Sequence, residues 1–173
     1  MSNTPELTPI SYLVLGLVAR GASTSYELKQ RVAGSVGYFW SFAHSALYAE
    51  PARLETAGLL TESREAHGRR RRMYTITPAG RDALEAWLRE PTREPTQVRD
   101  LGLLKLFFAG LIDEDAAREL ARAQAAVHRE RLAAYEAVAG AKAQSPDDLY
   151  PLETLRMGLM VERAFVAFWE SLV

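Results

Sequence analysis

The chain of 173 residues is 48% hydrophobic and 25% charged, enough for one full domain and a smaller one, each with its own core. It has no cysteine, which excludes a disulfide framework, a thiolate zinc site and a thiol nucleophile, and its three histidines (His44, His67, His128) lack metal-ligand spacing. A net charge of -1 argues against a generally basic nucleic-acid binder, so such a role has to come from how the charge is distributed.

Thr8 and Pro9 open a first helix as cap and first-turn proline, after which Ile10, Leu13, Val14, Leu17 and Val18 recur at helical spacing until Gly21. The longest apolar run, Tyr12 to Ala19, lies within it. It falls short of the roughly 20 residues of a membrane span and follows no basic segment, so a cytoplasmic protein is expected. Thr24 followed by Glu27 is a capping-box signature for a second helix through Tyr26, Leu28 and Val32 to about Gly34. The aromatic stretch GYFWSF (37–42) links it to a third helix that starts near His44 or Ser45 and ends at Ala57-Gly58.

In that third helix Leu47 and Leu54 form the buried face, which leaves Ser45, Tyr48, Ala49, Ala52, Arg53 and Thr56 for the outer one. Pro51 falls inside it, removing one backbone hydrogen bond at a cost of about 3 kcal/mol. Either the helix kinks there or its regular part begins late. Strands are expected at Leu59–Glu62 and Met73–Ile76, joined by a turn with Gly68 near its apex. Thr77-Pro78 caps a fourth helix with apolar Ala83, Leu84, Trp87 and Leu88.

The prolines of EPTREPT (90–96) mark a domain boundary, giving domains 1–90 and 91–173. Beyond it Val98–Leu111 is helical by pattern, with Leu101, Leu104, Phe108 and Leu111 on one stripe. An Ala-rich helix follows from Asp113 to about Lys142, with Asp113, Glu114 and Asp115 suited to its N-terminal dipole. After the turn at Ser145-Pro146-Asp147-Asp148, Pro151–Val173 forms a helix with two apolar stripes. Leu152, Leu155, Leu159, Val166 and Trp169 make one; Met157, Val161, Ala164, Phe168 and Leu172 make the other. A helix apolar on two sides needs two neighbours, and a partner subunit is the expected second one. The candidate dimer interface is Leu152, Leu155, Leu159, Val161, Phe165, Phe168 and Trp169.

Residues 1–89 carry 11 Lys/Arg against 8 Asp/Glu, whereas residues 90–173 carry 10 against 14. The positive surplus is therefore in the first half, and it is concentrated: Arg64 and Arg69–Arg72 lie within nine positions. At about 0.15 M salt, charges beyond about 8 Å are largely screened, so such a patch holds phosphates on an acidic molecule. The bland reading of a charge run is a solvated loop. Against it, four adjacent arginines repel by a few tenths to about 1 kcal/mol per close pair, with no nearby run of acids to neutralise them, and an anionic partner would offset that.

Tyr48 has two near-even readings, a DNA contact or a core residue with a wet hydroxyl. Phe39, Trp40 and Phe42 read as core or interface before they read as a ligand pocket. No GxxxxGK[ST], GxGxxG, GxSxG or HExxH occurs, and no His/Asp/Glu grouping has catalytic spacing, so neither an enzyme nor a cofactor is expected.

The predicted order of helix, helix, helix, basic hairpin and helix resembles a winged helix-turn-helix domain. Residues 10–81 resemble the PadR family of bacterial transcriptional regulators in YLVLGLVARGASTSYELKQ, SALYAEPARLETAGLL and GRRRRMYTITPAGR. RDLGLLKLFFAGL and the helices after it are similar to the helical dimerisation region of the longer PadR group. The resemblance implies a mainly α fold with a small β-hairpin, built as an N-terminal winged helix-turn-helix plus a C-terminal antiparallel helical dimerisation domain. It also implies a homodimer on a pseudo-palindromic operator, usually a repressor and often released by a small molecule. Tyr48 matches the family's recognition-helix tyrosine, Tyr26 that of its second helix, and Gly68–Arg72 its wing tip. Relatives commonly have proline directly after the tyrosine and leucine where Pro51 stands here.

The expected DNA-binding residues are thus Tyr26, Lys29, Ser45, Tyr48, Ala49, Arg53, His67, Gly68, Arg69, Arg70, Arg71 and Arg72. The alternative from another class is a winged-helix module for protein or RNA interaction.

Overall fold

A computed structural model describes residues 6–40, 42–43, 45–64, 71–141 and 149–173. It divides into two compact units, Met1–Glu94 and Pro95–Val173. Among the described residues, seven α-helices accompany one two-stranded antiparallel sheet, and no helix is long and apolar enough to cross a membrane.

In the first unit, α1 (Pro9–Ala19) starts at Thr8, whose amide donates to Ser11 Oγ (2.9 Å). α2 (Ser25–Ala33) starts at the predicted capping box: Glu27 N–H donates to Thr24 Oγ1 (3.2 Å), and the Glu27 carboxylate accepts from the Ser23 amide (2.7 Å) and hydroxyl (3.0 Å) and from the Thr24 amide (3.3 Å). The Ser23 amide and hydroxyl bonds hold the Glu27 carboxyl below its ordinary value of 4.5, against a smaller opposing effect of burial. A 3-10 turn at Val36–Tyr38 leads toward α3 (Ala46–Thr56), which follows Ser45; His44 lies outside the described residues.

α3 runs unbroken through Pro51, so the proline neither ends the helix nor delays its start. The pyrrolidine ring is fully buried, and no amide exists there to donate to the Leu47 carbonyl four residues back. Gly58 closes the helix at φ +73, a conformation glycine adopts without cost, and Leu59 N–H then bonds the Leu54 carbonyl (2.9 Å).

Strand β1 (Leu60–Arg64) pairs with β2 (Arg72–Ile76) in the register Leu60↔Ile76, Glu62↔Tyr74 and Arg64↔Arg72. Each strand reaches further toward the turn than the apolar pattern indicated, because main-chain pairing does not end where hydrophobic residues end. The turn itself, with Gly68, lies outside the described residues. Leu60, Tyr74 and Ile76 share the inner face and close a core with Val14, Leu15, Leu28, Val32, Leu47 and Leu54. α4 (Pro78–Arg89) begins at Thr77, and Gly80 lets it pass so near β1 that a Cβ there would lie 2.2 Å from the Leu59 carbonyl oxygen. On α4, Trp87 stacks on Tyr12 at 4.5 Å and 4°, so it is part of the fold although partly exposed.

In the second unit, α5 spans Leu101–Phe107 and gives way to a 3-10 turn at Ala109–Leu111, a shorter element than the predicted Val98–Leu111 helix. Asp100 caps it by accepting from the Leu103 amide (3.0 Å). The predicted stripe of Leu101, Leu104, Phe108 and Leu111 is exposed, up to 85% at Leu111; Leu103 and Leu106 turn to the core instead.

α6 (Glu114–Ala141) starts where Asp113 Oδ1 accepts from the Ala116 amide (2.8 Å), as the acidic start predicted; Lys142 and the turn at 145–148 lie outside the described residues. α7 (Leu149–Glu170) packs antiparallel on α6, through Tyr135 against Gly158, His128 against Glu162, and Ala121 and Ala125 against Trp169. The small residues of α6 make room for the indole. Buried between the two helices, His128 Nδ1 meets Glu162 Oε2 at 2.6 Å, Glu162 Oε1 meets Arg131 Nε at 3.2 Å, and Phe165 stacks on the imidazole at 4.4 Å. The apolar pattern gave no sign of this cluster.

Candidate nucleic-acid interface

The face of α3 opposite Leu47 and Leu54 presents Ser45, Tyr48 and Ala49, with Tyr48 54% exposed. A phenol, a hydroxyl and a methyl offer hydrogen bonds and one apolar contact, a set suited to base edges and phosphates. Of the two readings of Tyr48, the exposed one matches the geometry. On α2, Tyr26 is 63% exposed, its hydroxyl accepting from Gln30 Nε2 (2.8 Å), and Lys29 is exposed beside it in sequence. Phe39 and Trp40 are exposed, whereas Phe42 packs on the core, so the aromatic link divides between surface and interior.

Arg53 and Ala52 depart from the expected outer face, both being half-buried. The Arg53 guanidinium turns toward α1, donating to Glu50 through Nη2 (2.6 Å) and Nε (3.0 Å), to Ser11 Oγ (2.8 Å) and to the Glu6 carbonyl (3.3 Å). Free of DNA, the Arg53 guanidinium is therefore held by internal partners and not presented on the outer face. Burial alone would raise the Glu50 carboxyl, but the hydrogen bonds from Arg53 and Ser11 and the Arg53 charge outweigh it and leave the group below its ordinary 4.5. Helical periodicity placed position 53 on the surface, and Glu50, which the pattern passed over, is the residue that draws it in.

At the hairpin, Arg71 and Arg72 are exposed, while His67, Gly68, Arg69 and Arg70 lie outside the described residues. The arginines are not without a nearby acid. Glu62, across the sheet, lies 3.5 Å from Arg72 Nη1 and 3.7 Å from Arg64 Nε, and accepts from the Tyr74 hydroxyl (3.4 Å). Strand pairing brings this carboxylate ten positions back to the root of the basic run, which a one-dimensional search for acidic runs does not detect.

Two members of the expected dimer interface pack inward on their own chain. Trp169 is fully buried against Ala121 and Ala125 of its own chain, and Phe165 is taken up by the His128 ring, so both belong to the α6–α7 core. Leu152, Leu155 and Leu159 are half-buried, and only Val161 and Phe168 of that set are exposed. Among the described residues, no group of His, Cys, Asp and Glu side chains could hold a metal ion.

Comparison with known proteins agrees with this arrangement. Residues 14–86 match the transcriptional regulator PadR-like family, and residues 98–172 match the virulence activator alpha C-terminal family. The negative transcriptional regulator PadR of Bacillus subtilis is 28% identical over 173 residues, covering 95% of each chain. The crystal structure of Bacillus subtilis PadR in complex with operator DNA superposes with a TM-score of 0.84 at 27% identity (95% of this chain, 96% of that one), and the complex with p-coumaric acid with 0.79 at 26% (96% of each). The virulence activator AphA of Vibrio cholerae superposes with a TM-score of 0.72 at 26% identity, over 94% of this chain and 95% of that one. With the helix-turn-helix and paired strands formed by residues 14–86 and the helical hairpin by residues 98–172, the chain belongs to the PadR-like family of transcriptional regulators, with a C-terminal region of the virulence-activator type.

Proposed function

We propose that the chain represses transcription as a homodimer bound to a pseudo-palindromic operator, with residues 1–90 as the winged helix-turn-helix DNA-binding domain and 91–173 as the helical dimerisation domain. The observation that carries this reading is the outer face of α3, where Ser45, Tyr48 and Ala49 stand exposed on a helix whose other side is locked into the core. In the complex, α3 lies in the major groove and reads bases through these three side chains. Tyr26, Lys29, Arg71 and Arg72 hold phosphates, joined by His67, Gly68, Arg69 and Arg70 of the wing. The complex of the Bacillus subtilis relative with p-coumaric acid supports a small-molecule effector that releases the operator. Action in the cytoplasm, without enzymatic activity or cofactor, completes the reading.

The dimer forms through the side chains that one chain leaves uncovered: Val161, Phe168 and Met157 on α7, Leu172 just beyond it, and Leu101, Leu104, Phe108 and Leu111 around α5. Selection of bound duplexes from a random DNA pool tests the reading. Enriched sites with two half-sites about 10 base pairs apart, or a multiple of that, are expected. A pool that returns no enriched sequence overturns sequence-specific binding, and a monomeric mass by light scattering at micromolar concentration overturns the dimer.

A further inference from the structure

Pro51 divides α3 at a functionally awkward place. The backbone bond it removes would have joined residue 51 to the Leu47 carbonyl, in the turn that holds Tyr48 and Ala49 to the rest of the helix. The side chains on either side of the proline close that gap. Glu50 is 8% exposed, and Arg53 grips both its oxygens, at 2.6 and 3.0 Å, across the turn that contains Pro51. The same Arg53 Nη2 donates to Ser11 Oγ (2.8 Å), and Ser11 is fully buried in α1, where its Oγ also accepts from the Thr8 amide (2.9 Å). Arg53 thus ties Glu50 on its own helix to Ser11 on α1, on the side of α3 that turns toward α1.

We propose that Glu50, Arg53 and Ser11 form a clamp that stands in for the hydrogen bond Pro51 removes and fixes the rotation of the Ser45–Tyr48–Ala49 face about the α3 axis. They are positioning residues for DNA reading and do not touch DNA. The inference rests on α3 being the recognition helix. A binding constellation tolerates misorientation of only about 10–20°, and a helix turn short of one backbone bond and free to twist would exceed that. A bidentate guanidinium–carboxylate pair is suited to the task because its planar fork fixes direction as well as distance.

The test uses the full chain and two probes, the duplex that the wild-type protein selects from a random pool and an unrelated duplex of equal length. Titrations run at one salt concentration, well below the thermal midpoint of every variant. Glu50→Gln and the milder Ser11→Ala are expected to lower affinity for the selected duplex by about tenfold, the equivalent of losing one good base contact. Affinity for the unrelated duplex should stay within about twofold, because phosphate contacts lie elsewhere.

Pro51→Ala restores the amide donor without adding volume, and in that background Glu50→Gln is expected to recover most of the lost discrimination. A purely structural role would lower affinity for both duplexes alike. Equal weakening toward both duplexes, or no rescue by Pro51→Ala, overturns the clamp. If the wild-type protein selects no sequence, the recognition reading itself has failed, and amide hydrogen exchange at residues 46–50 then decides the clamp alone. Faster exchange in Glu50→Gln that Pro51→Ala reverses supports it; unchanged exchange overturns it.

Discussion

The two units bury their apolar side chains very differently. In the first, Val14, Leu15, Leu28, Leu47, Leu54 and Leu60 close around one another, and the large exposed apolar side chains stand mostly on α2, on α4 and beside α3. In the second, the fully covered centre is little more than Ala121, Ala125 and Trp169, while Leu101, Leu104, Phe107, Leu111, Met157 and Phe168 face outward. The first unit thus carries a core of its own. The second has the composition of half a core, since exposed apolar area on that scale marks an interface. In the proposed reading, DNA is read by the self-sufficient fold and assembly falls to the incomplete one.

That contrast can be broken at its strongest point first. Trp169→Ala removes a fully buried large side chain at the centre of the second unit and is expected to cost about 3–5 kcal/mol, measured by chemical denaturation; a loss below about 1 kcal/mol would mean that the indole is not the keystone of this helix pair. Phe168→Asp, one residue away on the exposed stripe, is expected to leave α6 and α7 paired yet shift the protein to half its mass in light scattering. If the mass holds, the exposed stripe is not what joins the subunits.

On the other unit, replacing Arg69–Arg72 by alanine is expected to weaken operator binding by roughly 100-fold and to lower the slope of log K against log salt by about 3. Unchanged affinity and slope would remove the wing from the interface.

The smallest effect concerns pH and lies in the first unit. Glu27 and Glu50 both titrate below their ordinary 4.5 when folded. Their contribution is therefore fully present above about pH 5 and is lost as pH falls through the lowered folded values. Thermal midpoints taken between about pH 6 and pH 3 should fall less steeply in Glu50→Gln than in the wild type; parallel curves would show that this carboxylate does not hold the fold.

What could be read in advance was local. The Thr24–Glu27 box, the start at Thr77-Pro78 and the stop at Gly58 each need residues only a few positions apart, and each is present as expected. The errors are long-range. Arg53 was placed outward by periodicity, yet Glu50, three positions back, and Ser11, 42 positions earlier, draw it inward. His128 gave no signal because its partner Glu162 is 34 positions away on another helix. The two stripes of α7 looked alike in sequence, and the alanines of α6 decide which of them the chain covers itself. α5 ends at Phe107, where the chain tightens into a 3-10 turn and the apolar stripe runs on without a regular helix.

Glu62 gives the hairpin a kinetic character. A carboxylate held 3.5 Å from Arg72 means that a phosphate reaching this arginine finds an acceptor already in place and has to displace it. With the wing on phosphate as proposed, part of the attraction of DNA would be spent on that exchange, whatever the sequence. Random DNA, which offers little beyond phosphate, would lose proportionally more of its hold than an operator. A built-in competitor of this kind would shorten each stop on the wrong sequence.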